Sequence, residues 1–401
     1  MNKENKELEL NSSPVDFSNT EIAFSNKTDK ALKKTGFVFN IMNKKWMVDI
    51  ASNLGLLALK LRLPFVESII KNTIFDQFVG GRTLLECQPN IDHLFANNTL
   101  TILDYGAEAK TGEAAFNNTM NECIRAIEFA ADNDPVPIIS TKISGLARFG
   151  LLEHIQNSDS LDSQLRSEYR NVLKRIDALC HVAAEKNVGV FFDAEETWIQ
   201  DTIDHLVILM MKRYNKGRAI VYNTFQMYRK DRLNYLFDSF DLAKKDGFML
   251  GAKLVRGAYM EKERDRAEEM GYPDPINPSK EVTDDMYNTA VRFCVDNYHE
   301  MASCNASHNA ESAMLQACLI NEKQIPKNHP HLNFCQLYGM SDAMTFNLAH
   351  AGYNVAKYVP YGAIREVIPY LIRRAQENST VTGDMSREYK MIKSEMNRRG
   401  L

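Results

Sequence analysis

No stretch of the 401-residue chain approaches the ~18 consecutive apolar residues that a membrane-spanning helix needs. The longest apolar stretch, Ile50 to Ile70, is broken by Lys60, Arg62, Pro64 and Glu67, so it reads as a packing helix, with a helix lying on a bilayer surface as the alternative. The seven cysteines are odd in number and never take a CxxC spacing. They read as reduced thiols in packing positions, not as a disulfide framework or a zinc site. Net charge is only −4, with both signs mixed along the chain, which excludes the basic stripe of a dedicated nucleic-acid binder. The opening MNKENKELELNSS has no apolar signal core and is too acidic for a transit peptide, so a cytoplasmic protein is expected. Also missing are GxGxxG after a strand, a P-loop, GxSxG and HExxH. Gly80-Gly81 is the nearest thing to a glycine-rich loop, and it comes before the first strand-like run.

What the chain does contain is an alternation. Runs rich in β-branched and aromatic residues cover 99–106, 137–144, 188–196, 219–228, 248–259, 301–308, 332–339 and 355–362. Helical periodicity fills the gaps, at 114–131, 161–186, 198–214, 231–245, 283–298, 311–321 and 342–351, and again at 364–378. Strands alternating with helices imply parallel βαβ units, and eight of them match a (β/α)₈ barrel, an α/β fold of TIM type. A doubly wound open sheet is the alternative. The expected organisation is an N-terminal helical arm over residues 1–97, a catalytic barrel over 98–380 and a C-terminal tail over 381–401.

Barrel chemistry sits at the C-terminal ends of the strands. Those ends are polar here: Asp104 with Glu108, Lys142, Asp193 with Glu195 and Glu196, Gln226 with Tyr228, Lys253 with Arg256 and Tyr259, Ser307 with His308 and Asn309, Gln336 with Tyr338, and Lys357 with Tyr358 and Tyr361. One such charge most often pairs with a neighbour, but polar groups at all eight ends predict a lined mouth. His329-Pro330-His331 reads as a loop and not a metal site, and Cys304 and Cys335 read as buried packing residues. A site with cations, amides and tyrosines but no evident nucleophile suits an anionic organic cofactor that brings the chemistry with it.

After the eighth run comes YLIRRAQEN, residues 370–378. Ile364, Val367, Ile368, Leu371, Ile372 and Ala375 share one helical face, expected to pack on the barrel. Tyr370, Arg373, Arg374 and Glu377 share another. That face has two readings. It is a solvated surface with Arg374 pairing Glu377, or the two planar guanidinium forks clamp a small carboxylate.

Taken together, GAKLVRGAYMEKERDRA (251–267), DAEET (193–197), YNTFQMY (222–228), QLYGM (336–340) and YVPYG with YLIRRAQEN (358–378) resemble the proline dehydrogenase family, in its monofunctional, mitochondrial-type branch. The resemblance runs from about residue 98 to residue 378. It implies a barrel that binds FAD and oxidises L-proline to Δ¹-pyrroline-5-carboxylate, the first step of proline catabolism to glutamate, with hydride passing from C5 to flavin N5. By motif, Arg373, Arg374 and Lys142 correspond to the cations on the proline carboxylate. Asp193 corresponds to an active-site carboxylate near them and the flavin. Glu108 resembles the acid that pairs with the first arginine. Tyr358, Leu337, Tyr370 and Tyr259 correspond to walls of the site. Gln226, Lys253, Arg256, Gly257, Ala258, His308, Asn309 and Glu377, together with Asp193 and Tyr259, match positions that hold FAD. The phenol of Tyr358 stands where hydroxyproline dehydrogenases carry a smaller residue, so proline is expected over 4-hydroxyproline.

The resemblance further implies a quinone or electron-transport chain as acceptor and a peripheral placement on the inner face of the cytoplasmic membrane. The length leaves no room for the aldehyde dehydrogenase domain of bifunctional relatives, so a separate pyrroline-5-carboxylate dehydrogenase is expected downstream. The competing readings are a hydroxyproline dehydrogenase, a barrel lyase using Lys142 or Lys253 as a Schiff base, and a non-catalytic redox-sensing or scaffold protein.

Overall fold

The computed structural model describes residues 13–42, 44, 68, 70–106, 110–158, 160–379 and 387–401. Its eight strands are β1 (Leu100–Tyr105), β2 (Ile138–Thr141), β3 (Gly189–Phe192), β4 (Val221–Gln226), β5 (Leu250–Val255), β6 (Met301–Ala306), β7 (Leu332–Leu337) and β8 (Val355–Tyr361). They follow one another in chain order in a closed barrel, and the strand pairs are parallel. Every run read as a strand contains one, and the open-sheet alternative falls with the closure.

The eight helices expected between and after the strands are present, shifted by a few residues at their ends. Local signals explain where several start and stop. Asp162 and Ser279 accept hydrogen bonds from Leu165 N and Val282 N, capping the helices Ser163–Lys186 and Lys280–Asp296. Asn187 and Gly247 take left-handed conformations that end the helices before them. Three further helices in and after the barrel, Phe149–Asn157, Met260–Met270 and Arg387–Arg398, are not among those expected from the sequence. The second of these, MEKERDRAEEM, is charged almost all round, and Glu263 and Ala267 are its buried residues.

Contacts divide the chain into two compact units. One comprises Met1–Pro14 and Ala107–Cys335 and carries β2 to β6 with most of β7. Its strands are buried nearly without break, as strands covered on both faces should be. Cys304 and Cys335 lie buried among them, six of the seven cysteines are buried, and no disulfide is formed.

The other unit comprises Val15–Gly106 and Gln336–Leu401, and here β1 pairs with β8, Ile102 opposite Tyr358. Gly80-Gly81 is used for close approach within this unit and not as a phosphate loop. Gly80 N donates to Pro360 O at 2.8 Å, and a Cβ on Gly80 would lie 2.3 Å from Val359 Cγ1. The apolar stripe of the helix Ile364–Ser379 is also used differently from expectation. Ile364, Val367, Ile368 and Leu371 join a core with Leu32, Phe39, Phe75, Phe78 and Ile392, so the stripe packs mainly on helices from the two chain ends. Of these, Val367 also meets the strand ends, where a Cβ on Gly106 would stand 2.7 Å from its Cγ1. No described helix is long and apolar enough to cross a membrane, and most of Ile50–Ile70 lies outside the described residues.

Candidate active site

In the first unit, the ends of β2, β3 and β5 converge on one carboxylate. Asp193, just past β3, donates its backbone N–H to Thr141 O at 2.9 Å, which fixes its side chain beside β2. Its Oδ1 accepts from Lys253 Nζ at 2.6 Å and from Ser140 Oγ at 3.0 Å, and its Oδ2 lies 3.6 Å from Lys142 Nζ. Lys253 also sits over the ring of Phe191, 5.2 Å from its centroid. Two ammonium groups thus share one carboxylate at the strand ends. Ser140, a further member of this cluster, was not singled out from the sequence; as a strand residue with a short hydroxyl it gave no signal.

A second cluster centres on Arg256 after β5. Its Nε donates to Asp284 Oδ1 at 2.7 Å, Nη1 to Ser307 Oγ at 2.6 Å and Nη2 to Ser312 Oγ at 3.0 Å, while Cζ lies 4.3 Å from the Tyr287 ring centroid. Burial pushes Asp284 up, but donors from Lys280 and Arg256 outweigh it and hold the carboxyl below its ordinary range. Ser307 in turn accepts from Asn309 N at 3.0 Å, and Asn309 caps the helix Ala310–Glu322 by accepting from Ser312 N. The structure therefore joins two sequence candidates, Arg256 and Asn309, through Ser307. His308, Gly257 and Ala258 are exposed beside them, and Tyr259 is half-buried at the start of the helix Met260–Met270. Gly257 has φ +136°, and a Cβ there would fall 2.4 Å from the Tyr228 ring, so only glycine fits. Gln226 is buried, and its Oε1 has no hydrogen-bond partner among the described residues.

The second unit carries the remaining candidates. Tyr358 on β8 and Tyr370 on the following helix are buried, and Leu337 at the end of β7 is half-buried. Arg374 is only 7% exposed, with Cζ 5.3 Å from the Tyr370 ring centroid; Arg373 is half-buried. The burial of Arg374 corrects the solvated-face reading for that residue. Glu108 and the side chain of Glu377 lie outside the described residues. Lys357, read as part of the mouth, is instead an interior cation. It is 1% exposed, 2.9 Å from Asp342 Oδ1, and donates to Met340 O. Burial drives Asp342 up, but Lys357 and Lys27 overcome this and hold it well below the usual carboxylate range.

A parallel eight-stranded barrel with cations and carboxylates gathered at its strand ends defines a (β/α)₈-barrel protein with an enzyme-like site. The proline dehydrogenase family model matches residues 87–387, and the chain belongs to that family. It is 40% identical over 241 residues to proline dehydrogenase 1, mitochondrial, of Drosophila melanogaster, covering 58% of this chain and 35% of that protein. It is 31% identical over 366 residues to hydroxyproline dehydrogenase of Xenopus laevis, covering 82% and 78%. Among solved structures, proline utilization A (PutA) from Bdellovibrio bacteriovorus, inactivated by N-propargylglycine, superimposes with TM-score 0.71 at 20% identity, over 92% of this chain and 40% of that one, a likeness of fold. The chain thus spans about a third of the length of the Drosophila relative and two fifths of the PutA chain.

Proposed function

We propose that this protein oxidises L-proline to Δ¹-pyrroline-5-carboxylate with FAD as its cofactor. The observation that carries the reading is Asp193 holding Lys142 and Lys253 at the ends of three strands in a chain of this family. FAD, when bound, supplies the two-electron acceptor. The residues fit such a group. Buried Gln226 offers an amide oxygen with no partner among the described residues, Gly257 leaves its backbone open to close approach, and Lys253, Arg256, His308 and Asn309 supply donors to anionic oxygens. Ala258, Tyr259 and Asp193 complete the proposed cofactor set.

The substrate roles follow from charge. Arg373 and Arg374 bind the proline carboxylate with planar forks, fixing the ring's orientation. Lys142 adds a cation for the same kind of anion. Positive charge near the ring nitrogen favours its neutral amine, whose lone pair stabilises the iminium as C5 is oxidised. Tyr358, Tyr370 and Leu337 wall the ring, and the Tyr358 phenol excludes a ring hydroxyl, which favours proline over 4-hydroxyproline. A quinone or electron-transport chain receives the electrons, and a separate pyrroline-5-carboxylate dehydrogenase consumes the product. In this reading the protein works in the cytoplasm, with the inner face of the membrane as the place where it hands on electrons.

The test is the absorbance spectrum of the purified protein before and after anaerobic L-proline. Flavin bands that bleach on adding proline are expected. A colourless preparation would sink the reading and favour a Schiff-base lyase at Lys142 or Lys253, and a flavin that proline leaves oxidised would favour a non-catalytic member.

A further inference from the structure

Glu195 is a buried carboxyl, 3% exposed, to which the proposed reaction gives no role. It lies two residues beyond Asp193, on the loop after β3. Its Oε1 accepts from Ser144 N at 2.9 Å, and its Oε2 accepts from Ser144 Oγ. Ser144 belongs to the single 3₁₀ turn Ile143–Gly145 that immediately follows Lys142. The Glu195 backbone is itself fixed, because its N–H donates to Gln200 Oε1 at 2.7 Å. The Gln200 amide donates to Asp204 Oδ1 at 2.8 Å, Asp204 also accepts from Asn223 of β4, and it is ion-paired with buried Arg232. This chain of bonds runs from the rigid wall of the barrel to the turn after Lys142.

Lys142 is therefore held from two directions. Asp193 takes its ammonium group at 3.6 Å, and Glu195 grips the backbone two residues further on. A flexible four-carbon side chain gains a defined position only if its own backbone is fixed, and a turn of three residues has few internal bonds to do so. The other charged groups facing Glu195 are Lys142 itself and Glu196, the latter paired with Lys262 from the helix Met260–Met270. The geometry points to Glu195, acting through Ser144, as a positioning residue that sets where Lys142 meets the substrate carboxylate. Glu195 touches neither substrate nor cofactor in this role. The inference rests on the proposed function, in which Lys142 binds that carboxylate.

The test uses the flavin-loaded full chain and two readouts, the proline KM and the Kd for cyclopentanecarboxylate, a ring anion without the reacting amine, followed by its perturbation of the flavin spectrum. For Glu195→Gln, both constants rise about 10-fold, as supporting residues behind a binding group typically cost. The kcat at saturating proline, the flavin content and Tm stay near wild type. Ser144→Ala shifts both constants in the same direction and carries the test if Glu195→Gln does not fold. In a Lys142→Met background, Glu195→Gln adds no further loss of probe affinity, whereas a merely structural role would add its full effect. Wild-type constants in Glu195→Gln and Ser144→Ala, or an undiminished effect without Lys142, overturn the inference while leaving proline oxidation standing. A wild-type flavin that L-proline fails to bleach overturns the proposed function instead, and the inference with it.

Discussion

Lys253 Nζ and Asp193 Oδ1 are 2.6 Å apart, although sixty residues separate them in the chain. The lysine side chain is 6% exposed and the carboxylate 15%, so each depends on the other for the solvation it has lost. In Asp193→Ala, Lys253 and Lys142 are left as like charges in a shared site. Removing one partner of such a buried pair costs about 3 kcal/mol, the low end of the usual range because Asp193 keeps some contact with water. Guanidinium unfolding of purified protein measures it. A loss indistinguishable from that of an exposed-site control would show that the ammonium groups find other partners.

The arginine pair makes a second expectation. Losing one charge-assisted bond to the substrate carboxylate costs about 1.5–3 kcal/mol, so Arg373→Ala or Arg374→Ala raises the proline KM by roughly 10- to 150-fold while flavin is retained. The two variants differ in stability. Arg374, buried against Tyr370, lowers Tm when truncated, and half-buried Arg373 does so less. An unchanged KM removes the clamp assignment.

Tyr358 is buried on β8 directly opposite Ile102 of β1. Tyr358→Ser opens the volume of a phenol ring. Turnover of proline weakens and turnover of 4-hydroxyproline improves relative to it, read as the ratio of kcat/KM values. A ratio equal to wild type ends the specificity argument.

Gly257 supplies a fourth. In Gly257→Ala the new methyl meets the Tyr228 ring in a backbone region that side chains rarely adopt, a strain of about 1–3 kcal/mol. The loop moves, and flavin content after gel filtration falls. Full retention of flavin would show that this glycine does not shape the cofactor pocket.

A fifth concerns pH. Burial drives the Glu195 carboxyl up to about 7, against the pull of the Ser144 donors. The folded protein therefore holds this proton more tightly than the unfolded chain. The resulting stabilisation is full below the ordinary glutamate pKa and is lost as pH rises through about 7. Glu195→Gln has no proton to lose, so its stability falls less than wild type between pH 5 and pH 8 in chemical denaturation. Parallel pH curves for the two proteins would refute the sign.

The strands were legible because buried parallel strands are written in near-continuous β-branched and aromatic runs, as in GVFF of β3. The helix Met260–Met270 was not, since its surface is charged nearly all round and leaves no stripe to read. Lys142, Asp193 and Lys253 could each be placed at a strand end from sequence. That they share one carboxylate depends on barrel closure, which no local pattern records. Burial of Arg374 escaped for a related reason. Periodicity says which residues share a helical face, but not what covers that face in the fold. Lys357 looked like a mouth residue by the same logic, and only Asp342 beside it shows an interior pair. Ser144 and Glu195 carried no signal of partnership, being a turn serine and one of two adjacent acids.

The pairing of β1 with β8 has a consequence for the order in which the molecule is made. Strands β2 to β7 can each pair with a strand close in the chain soon after synthesis, whereas the seam between β1 and β8 must wait for residues beyond 355. The core around the arginine helix waits longer still, for Ile392, and for Arg399 to donate to Phe24 O and Lys27 O. Contacts of such long sequence separation form slowly, because the chain must surrender its loop entropy first. The helix that carries Arg373 and Arg374 is thus enclosed late, and a ribosome that stalls before Ile392 leaves its apolar stripe without part of its cover.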